Sequence, residues 1–147
     1  LELVGEAREF GEKVGFAALT NPNLPLTEKV TGYILSMISC GISEKNYGYY
    51  PCKHPGGIAF VALYDLPDKF FAPVDTKLFI KTIMSAISQY ELDHKILVEG
   101  FLAWNGTDYH WENNNIYAKF ADDDGQLLIR FEDIGDKKRI ESIDGLK

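Results

Sequence analysis

The sequence lacks most of the features that define a function class from composition alone. Its 147 residues include only two cysteines and three histidines, and no long apolar run. A membrane-spanning helix needs roughly 20 consecutive apolar residues, so none is predicted. Two cysteines do not make a disulfide framework, and a chain of this length does not need one. We therefore expect a core held by apolar packing in a reducing compartment, and a cytoplasmic protein.

Basic residues are also scarce. Lysine and arginine total 15 against 22 aspartates and glutamates, which gives a formal net charge of −7. Residues 1–57 are nearly balanced, so most of the excess acid follows Gly57. An acidic surface disfavours nucleic acid and anionic membranes as partners. It suits a basic protein partner, although solubility alone is the commoner reason for such a charge.

Four segments have apolar residues at helical spacing, and the last three of them also have a capping residue. They are residues 2–16, 28–40 after Thr27, 76–90 after Asp75, and a short last helix that begins at Asp136 and ends at Gly145.

The strand signals are concentrated in the second half of the chain. Residues 57–65 form an almost wholly apolar run, which predicts a central strand buried on both faces. Residues 95–104 fit a buried strand or a buried helix; β-branched Ile96 and a possible bulge at Gly100 favour the strand. Residues 109–133 alternate as a meander of strands, with turns at the asparagine run and at Gly125.

This order, α-α-β-α-β-β-β-α, predicts a single α+β domain over residues 1–147. We expect an antiparallel sheet of about four to five strands with helices mainly on one face. Residues 1–43 would form a helical part, residues 44–57 a long loop, and residues 58–147 the part that forms the sheet.

One stretch resembles a catalytic cluster in its residue types. Asp108, His110 and Glu112 alternate with Tyr109 and Trp111, so on a strand the three polar side chains share one face. A metal or acid–base site is one interpretation, but neighbours on one strand face lie roughly 6.5 Å apart. Zinc ligands converge to about 2.3 Å from one point, so further ligands would have to come from elsewhere, such as His94 or Asp93. A half-buried strand, with aromatics in the core and polar groups in water, explains the pattern more simply.

The loop sequence PCKHPGG gives a second candidate site. Cys52 could act as a thiolate nucleophile with His54 as its base, or the glycines could hold an anion. The spacing of one cysteine and one histidine is not diagnostic, and these glycines precede a strand, whereas phosphate loops precede a helix. A loop closed by proline and glycine is the favoured interpretation.

Aromatic residues are the best positive indication of function, because tyrosine and tryptophan are enriched in interface hot spots. Together with the polar strand residues they define a predicted binding set. Its members are Tyr47, Tyr49, Tyr50, Trp104, Asp108, Tyr109, His110 and Glu112.

The favoured function is a non-catalytic, acidic protein-binding domain that neutralises a basic partner, in the manner of a toxin-immunity inhibitor. An acidic chaperone of a secreted effector fits the same size and charge, by analogy alone. The alternative is a small hydrolase or metal-dependent enzyme that uses His110 or His54 with nearby carboxylates. We favour binding, without a catalytic residue, metal or cofactor, because no catalytic constellation has suitable spacing.

Overall fold

The structure is a computed structural model that describes residues 2–43, 45–122 and 125–146. The α+β prediction is confirmed: the described chain has five α-helices, a two-stranded sheet and a four-stranded sheet, both antiparallel. The chain divides into two compact units, Leu1–Phe71 and Ala72–Lys147, here called the N-terminal and C-terminal units. The single-domain assignment stays a prediction.

The N-terminal unit combines helices with a hairpin. Its elements are α1 (Glu2–Val14), α2 (Ala17–Thr20), α3 (Gly32–Ile42), β1 (Gly48–His54), β2 (Gly57–Leu63) and a 3₁₀ turn at Asp68–Phe70. β1 and β2 pair antiparallel, with Tyr50 opposite Val61 and Tyr49 opposite Ala62.

Three expectations for this unit were wrong in detail. The second helix begins at Gly32, since Thr31 Oγ1 accepts the Ile34 N–H at 3.2 Å, whereas Thr27 closes a turn before the helix. Residues 44–57 are not one long loop, because the tyrosine-rich part forms β1. The strand at 57–65 exists as β2, but six of its seven residues are exposed and β1 is its partner in the described chain.

The C-terminal unit places two helices before a four-stranded meander. Its elements are α4 (Thr76–Gln89), α5 (His94–Asn105), β3 (Asp108–Glu112), β4 (Asn115–Lys119), β5 (Gln126–Ile134) and β6 (Lys137–Leu146). The sheet order is β3-β4-β5-β6, with every pair antiparallel. The predicted α4 and its cap are confirmed, since Asp75 Oδ1 accepts the Leu78 N–H at 2.7 Å.

An apolar layer lies between the two helices and one face of this sheet. The layer is formed by Phe79, Ile83, Val98, Leu102, Ile116, Ala118, Phe120, Leu127, Ile129 and Phe131, all of them buried. Side chains alternate along each strand, so the polar residues between these positions lie on the opposite face. The asparagine turn is also confirmed, with Asn113 in the left-handed region at φ 53°. The turn predicted at Gly125 includes residues 123 and 124, which lie outside the described part.

Residues 95–104 are a helix, so the preference for a strand was wrong. Asp93 Oδ1 accepts N–H groups from both Lys95 and Ile96, which caps the first turn of α5. Gly106 ends the helix in the left-handed conformation at φ 65°. The missed helix signals were this capping aspartate and this terminal glycine, which enclose the twelve residues of α5.

The last helix, predicted from Asp136 to Gly145, was also wrong, because these residues form β6. Gly135, at φ 65°, and Asp136 form the hairpin turn between β5 and β6. Phe131 pairs with Ile140, and Ile129 pairs with Ile143. Two residues that are three apart on β6 therefore lie opposite two residues that are two apart on β5. This bulge turns both isoleucines toward the apolar layer at a spacing of three, which imitates helical periodicity.

Two alanine substitutions at the glycines of α5 test its structure. Gly100 lies mid-helix, and a methyl group added there would meet no neighbouring side chain within 4 Å, so Gly100→Ala should raise the free energy of unfolding by about 0.5–1 kcal/mol. Gly106→Ala forces alanine into a left-handed conformation and should lower it by about 1 kcal/mol or more. Urea denaturation followed by circular dichroism measures both; destabilisation by Gly100→Ala would instead indicate a bulged strand.

Candidate functional site

The polar cluster of β3 lies on the sheet face opposite the helices. Asp108, His110 and Glu112 alternate there and are all exposed. The His110 ring stacks on Tyr117 of β4, with centroids 5.3 Å apart and an interplanar angle of 11°. Tyr109 and Trp111 pack against the apolar layer. This arrangement is that of a half-buried strand.

Convergent metal ligands are absent around this cluster in the described part of the chain. Within residues 2–43, 45–122 and 125–146, no three histidine, cysteine, aspartate or glutamate side chains are grouped to hold a metal ion. The two residues considered as additional ligands have other roles, since Asp93 caps α5 and His94 Nδ1 accepts the Ile140 N–H at 2.9 Å.

Cys52 and His54 occupy alternate positions of β1 and therefore share one face of the hairpin. His54 Nδ1 accepts the Gly56 N–H at 3.1 Å, so this nitrogen is engaged in the turn. Cys52 is half-buried opposite Ala59. A neutral imidazole that accepts at Nδ1 carries its proton on Nε2, so the lone pair that a base would use is already engaged in the turn.

The predicted aromatic residues divide into exposed and packed groups. Tyr50 is 61% exposed and Trp104 is 52% exposed. Tyr47 is half-buried, and Tyr49 lies beside Phe60 at 6.2 Å between ring centroids. Tyr109 packs against the apolar layer. Tyr50 and Trp104 are therefore the members of the predicted binding set that expose a large aromatic surface to solvent, and they belong to different units.

A further feature of the C-terminal unit is a pocket of about 540 Å³, here called the acidic pocket. It lies where the segment before α4, the end of α5 and the start of β3 meet the end of β4. Its polar lining residues are Asp75, Asn105, Thr107, Asp108, Lys119 and Asp122.

Hydrogen bonds fix the walls of the acidic pocket. Asn105 is buried; its Oδ1 accepts the Val74 N–H at 2.6 Å, and its Nδ2 donates to Val74 O and to Thr107 Oγ1. Asp122 accepts the Thr76 N–H at 3.2 Å and the Thr76 hydroxyl at 3.1 Å. The walls therefore do not depend on a ligand for their positions.

The carboxylates of the acidic pocket have different structural roles. Asp75 caps α4 and Asp122 bonds to the first turn of the same helix, where the helix dipole favours negative charge. Asp108 is the exposed first residue of β3, directly opposite Lys119. The alternating sequence pattern indicated Asp108 as a site residue but not Asp75 or Asp122, because their convergence depends on tertiary contacts.

His94 is a buried titratable group at the start of α5. Burial lowers its pKa below the ordinary value, the nearby Arg139 lowers it further, and Asp93 opposes this shift. His94 therefore holds a proton less tightly in the folded state than in the unfolded chain. The stabilisation that neutral His94 provides is complete above about pH 6.5 and is lost as the pH falls below that value.

We expect acidification from neutral pH to lower the thermal midpoint, since a proton on Nδ1 abolishes its acceptance of the Ile140 N–H. His94→Asn keeps an acceptor near that position and should flatten the pH dependence below pH 6.5. Melting curves across this range measure the effect, with His110→Asn as the control that leaves the His94 hydrogen bond in place. An unchanged pH profile in His94→Asn would contradict the assignment.

Similarity to known proteins is confined to the N-terminal part of the chain. A family model described as a family of unknown function, DUF6882, matches residues 1–66, which is less than half of the chain. No curated protein and no solved structure matches the chain. Among the described helices, none has the length and apolar character needed to cross a membrane.

Proposed function

We propose that the protein is a non-catalytic binding domain that takes a basic protein at the acidic pocket of its C-terminal unit. The observation that carries this proposal is the described lining of that pocket, in which three carboxylates, Asp75, Asp108 and Asp122, accompany a single lysine, Lys119. The complementary group is a lysine or arginine side chain of the partner, since charge-assisted hydrogen bonds to carboxylates are among the stronger ones.

The distribution of charge supports this choice of unit. Residues 72–147 contain 14 acidic and 9 basic residues, whereas residues 1–71 contain 8 and 6. A negative potential around the C-terminal unit attracts a basic partner from a distance and raises its rate of association. Trp104 directly precedes Asn105 and is 52% exposed, which adds an aromatic surface close in sequence to the pocket wall.

The pocket is also suited to binding because its walls are already ordered. The Asn105 and Asp122 hydrogen bonds tie the chain segments together before any partner arrives. A site that is ordered in advance loses less conformational entropy on association. Among acidic binding proteins, we propose a neutraliser of a basic toxin or nuclease, with the chaperone role as its variant, in a cytoplasm that keeps Cys40 and Cys52 as free thiols.

Binding of a fluorescent peptide of alternating arginine and glycine tests the proposal. We expect the affinity to fall as salt rises from about 50 to about 300 mM, because screening shortens the range of the charges. Asp108→Asn should weaken binding about threefold at low salt, since it removes an exposed carboxylate from the pocket without removing a helix cap.

Glu141→Gln is the matched control. Glu141 is exposed on β6 outside the pocket lining, so its substitution changes the net charge by the same amount and should change the affinity little. Equal effects of the two substitutions would show that net charge acts without a site. Binding that is insensitive to salt would contradict a charge-driven partner.

A further inference from the structure

The N-terminal unit buries far fewer of its side chains than the C-terminal unit does. Among its described residues only Leu3, Ala7 and Gly11 of α1 are buried, and α3 and both hairpin strands bury none. Protein interiors are normally close-packed, with few voids larger than a water molecule. The elements of this unit therefore do not enclose a packed core of their own.

These elements surround a cavity of about 530 Å³ that is partly open to solvent, here called the N-terminal cavity. All three helices of the unit and both hairpin strands contribute to its wall. Its main apolar lining residues are Leu3, Ala7, Leu19, Leu35, Phe60 and Ala62. Small-molecule sites have volumes of about 300–1,000 Å³ and mostly apolar walls with a few polar groups, and this cavity has both properties.

The charge of the lining indicates the polarity of an occupant. Arg8 is the one charged residue among the described lining residues. Its Nε donates to Glu12 Oε1 at 2.9 Å, and a guanidinium carries four further N–H donors. The Arg8 side chain is 69% exposed, so its cationic head lies at the solvent-open part of a cavity whose other described lining residues are uncharged. The complementary molecule has an apolar body and one anionic end.

We propose that the N-terminal cavity binds a free single-chain amphiphile, a medium-length alkyl carboxylate, with its tail along the apolar wall and its carboxylate at Arg8. This site lies within residues 1–71 and is independent of the basic-protein site. Burial of the alkyl chain supplies most of the affinity, at roughly 0.8 kcal/mol for each methylene removed from water. The Arg8 guanidinium supplies the preference for a carboxylate over an uncharged head.

Cys40 provides a reporter of occupancy. It lines the cavity from α3, and burial raises the pKa of its thiol. Cys52, the other free cysteine, is not part of the cavity wall. In a Cys52→Ser background, the rate at which N-ethylmaleimide modifies Cys40 therefore measures access to the cavity.

Titration of the full chain with decanoate and with decan-1-ol tests the proposal. We expect saturable slowing of Cys40 modification by decanoate, and tighter binding of decanoate than of decan-1-ol by calorimetry. Arg8→Gln should weaken decanoate binding about tenfold while leaving decan-1-ol unchanged, because it removes a charge-assisted hydrogen bond. Lys13→Gln, on the same helix but outside the lining, should change neither.

A filling substitution tests the position of the tail. Ser39→Leu adds bulk to the cavity wall and should abolish binding of both molecules, whereas Ser88→Leu adds the same bulk at an exposed position of α4 and should not. Absence of saturable binding in the wild-type chain, or binding unchanged by Ser39→Leu, would overturn the proposal. A dimer that Ser39→Leu dissociates would also overturn the proposal, because a second copy of the chain would then occupy the cavity. Tighter association with phosphatidylcholine vesicles than with free decanoate would overturn it too, because the ligand would then be a lipid surface.

Discussion

The apolar layer between α4, α5 and one sheet face holds the C-terminal unit together. Phe79 lies at its centre, with its ring centroid 5.2 Å from that of Phe101 and 5.0 Å from that of Phe120. Fixing both helices on the sheet also fixes the segment before α4 and the end of α5, which Asn105 joins. The walls of the acidic pocket are the ends of the helices and strands that enclose the apolar layer. The packing of that layer therefore determines where these walls lie.

The predictable elements were those whose local signals agree with one another. Residues 76–90 combine apolar spacing with the Asp75 cap, and the meander combines alternation with an asparagine turn. β6 was mispredicted because its bulge places Ile140 and Ile143 three residues apart, a spacing that a single sequence cannot separate from that of a helix. Of the pocket carboxylates only Asp108 was predicted, because Asp75 and Asp122 reach the pocket through contacts between distant segments.

The two units differ in how they bury their apolar residues. One buries ten apolar residues in a continuous layer, and the other surrounds a cavity with apolar residues that remain partly open. The family match over residues 1–66 includes every described residue of the cavity wall and none of the acidic pocket. The two proposed activities therefore have separate structural bases, and either one can fail alone.

The packed core belongs to the C-terminal unit, and the N-terminal unit has a cavity in its place. Amide hydrogen exchange of the full chain reports on this difference residue by residue, because exchange protection follows local burial and stability. We predict slow exchange at Ile116 and Ile129, faster exchange at Leu35 and Phe60, and selective slowing of the latter pair on addition of decanoate. Protection of Leu35 and Phe60 equal to that of Ile116 without any ligand would contradict this division of the chain.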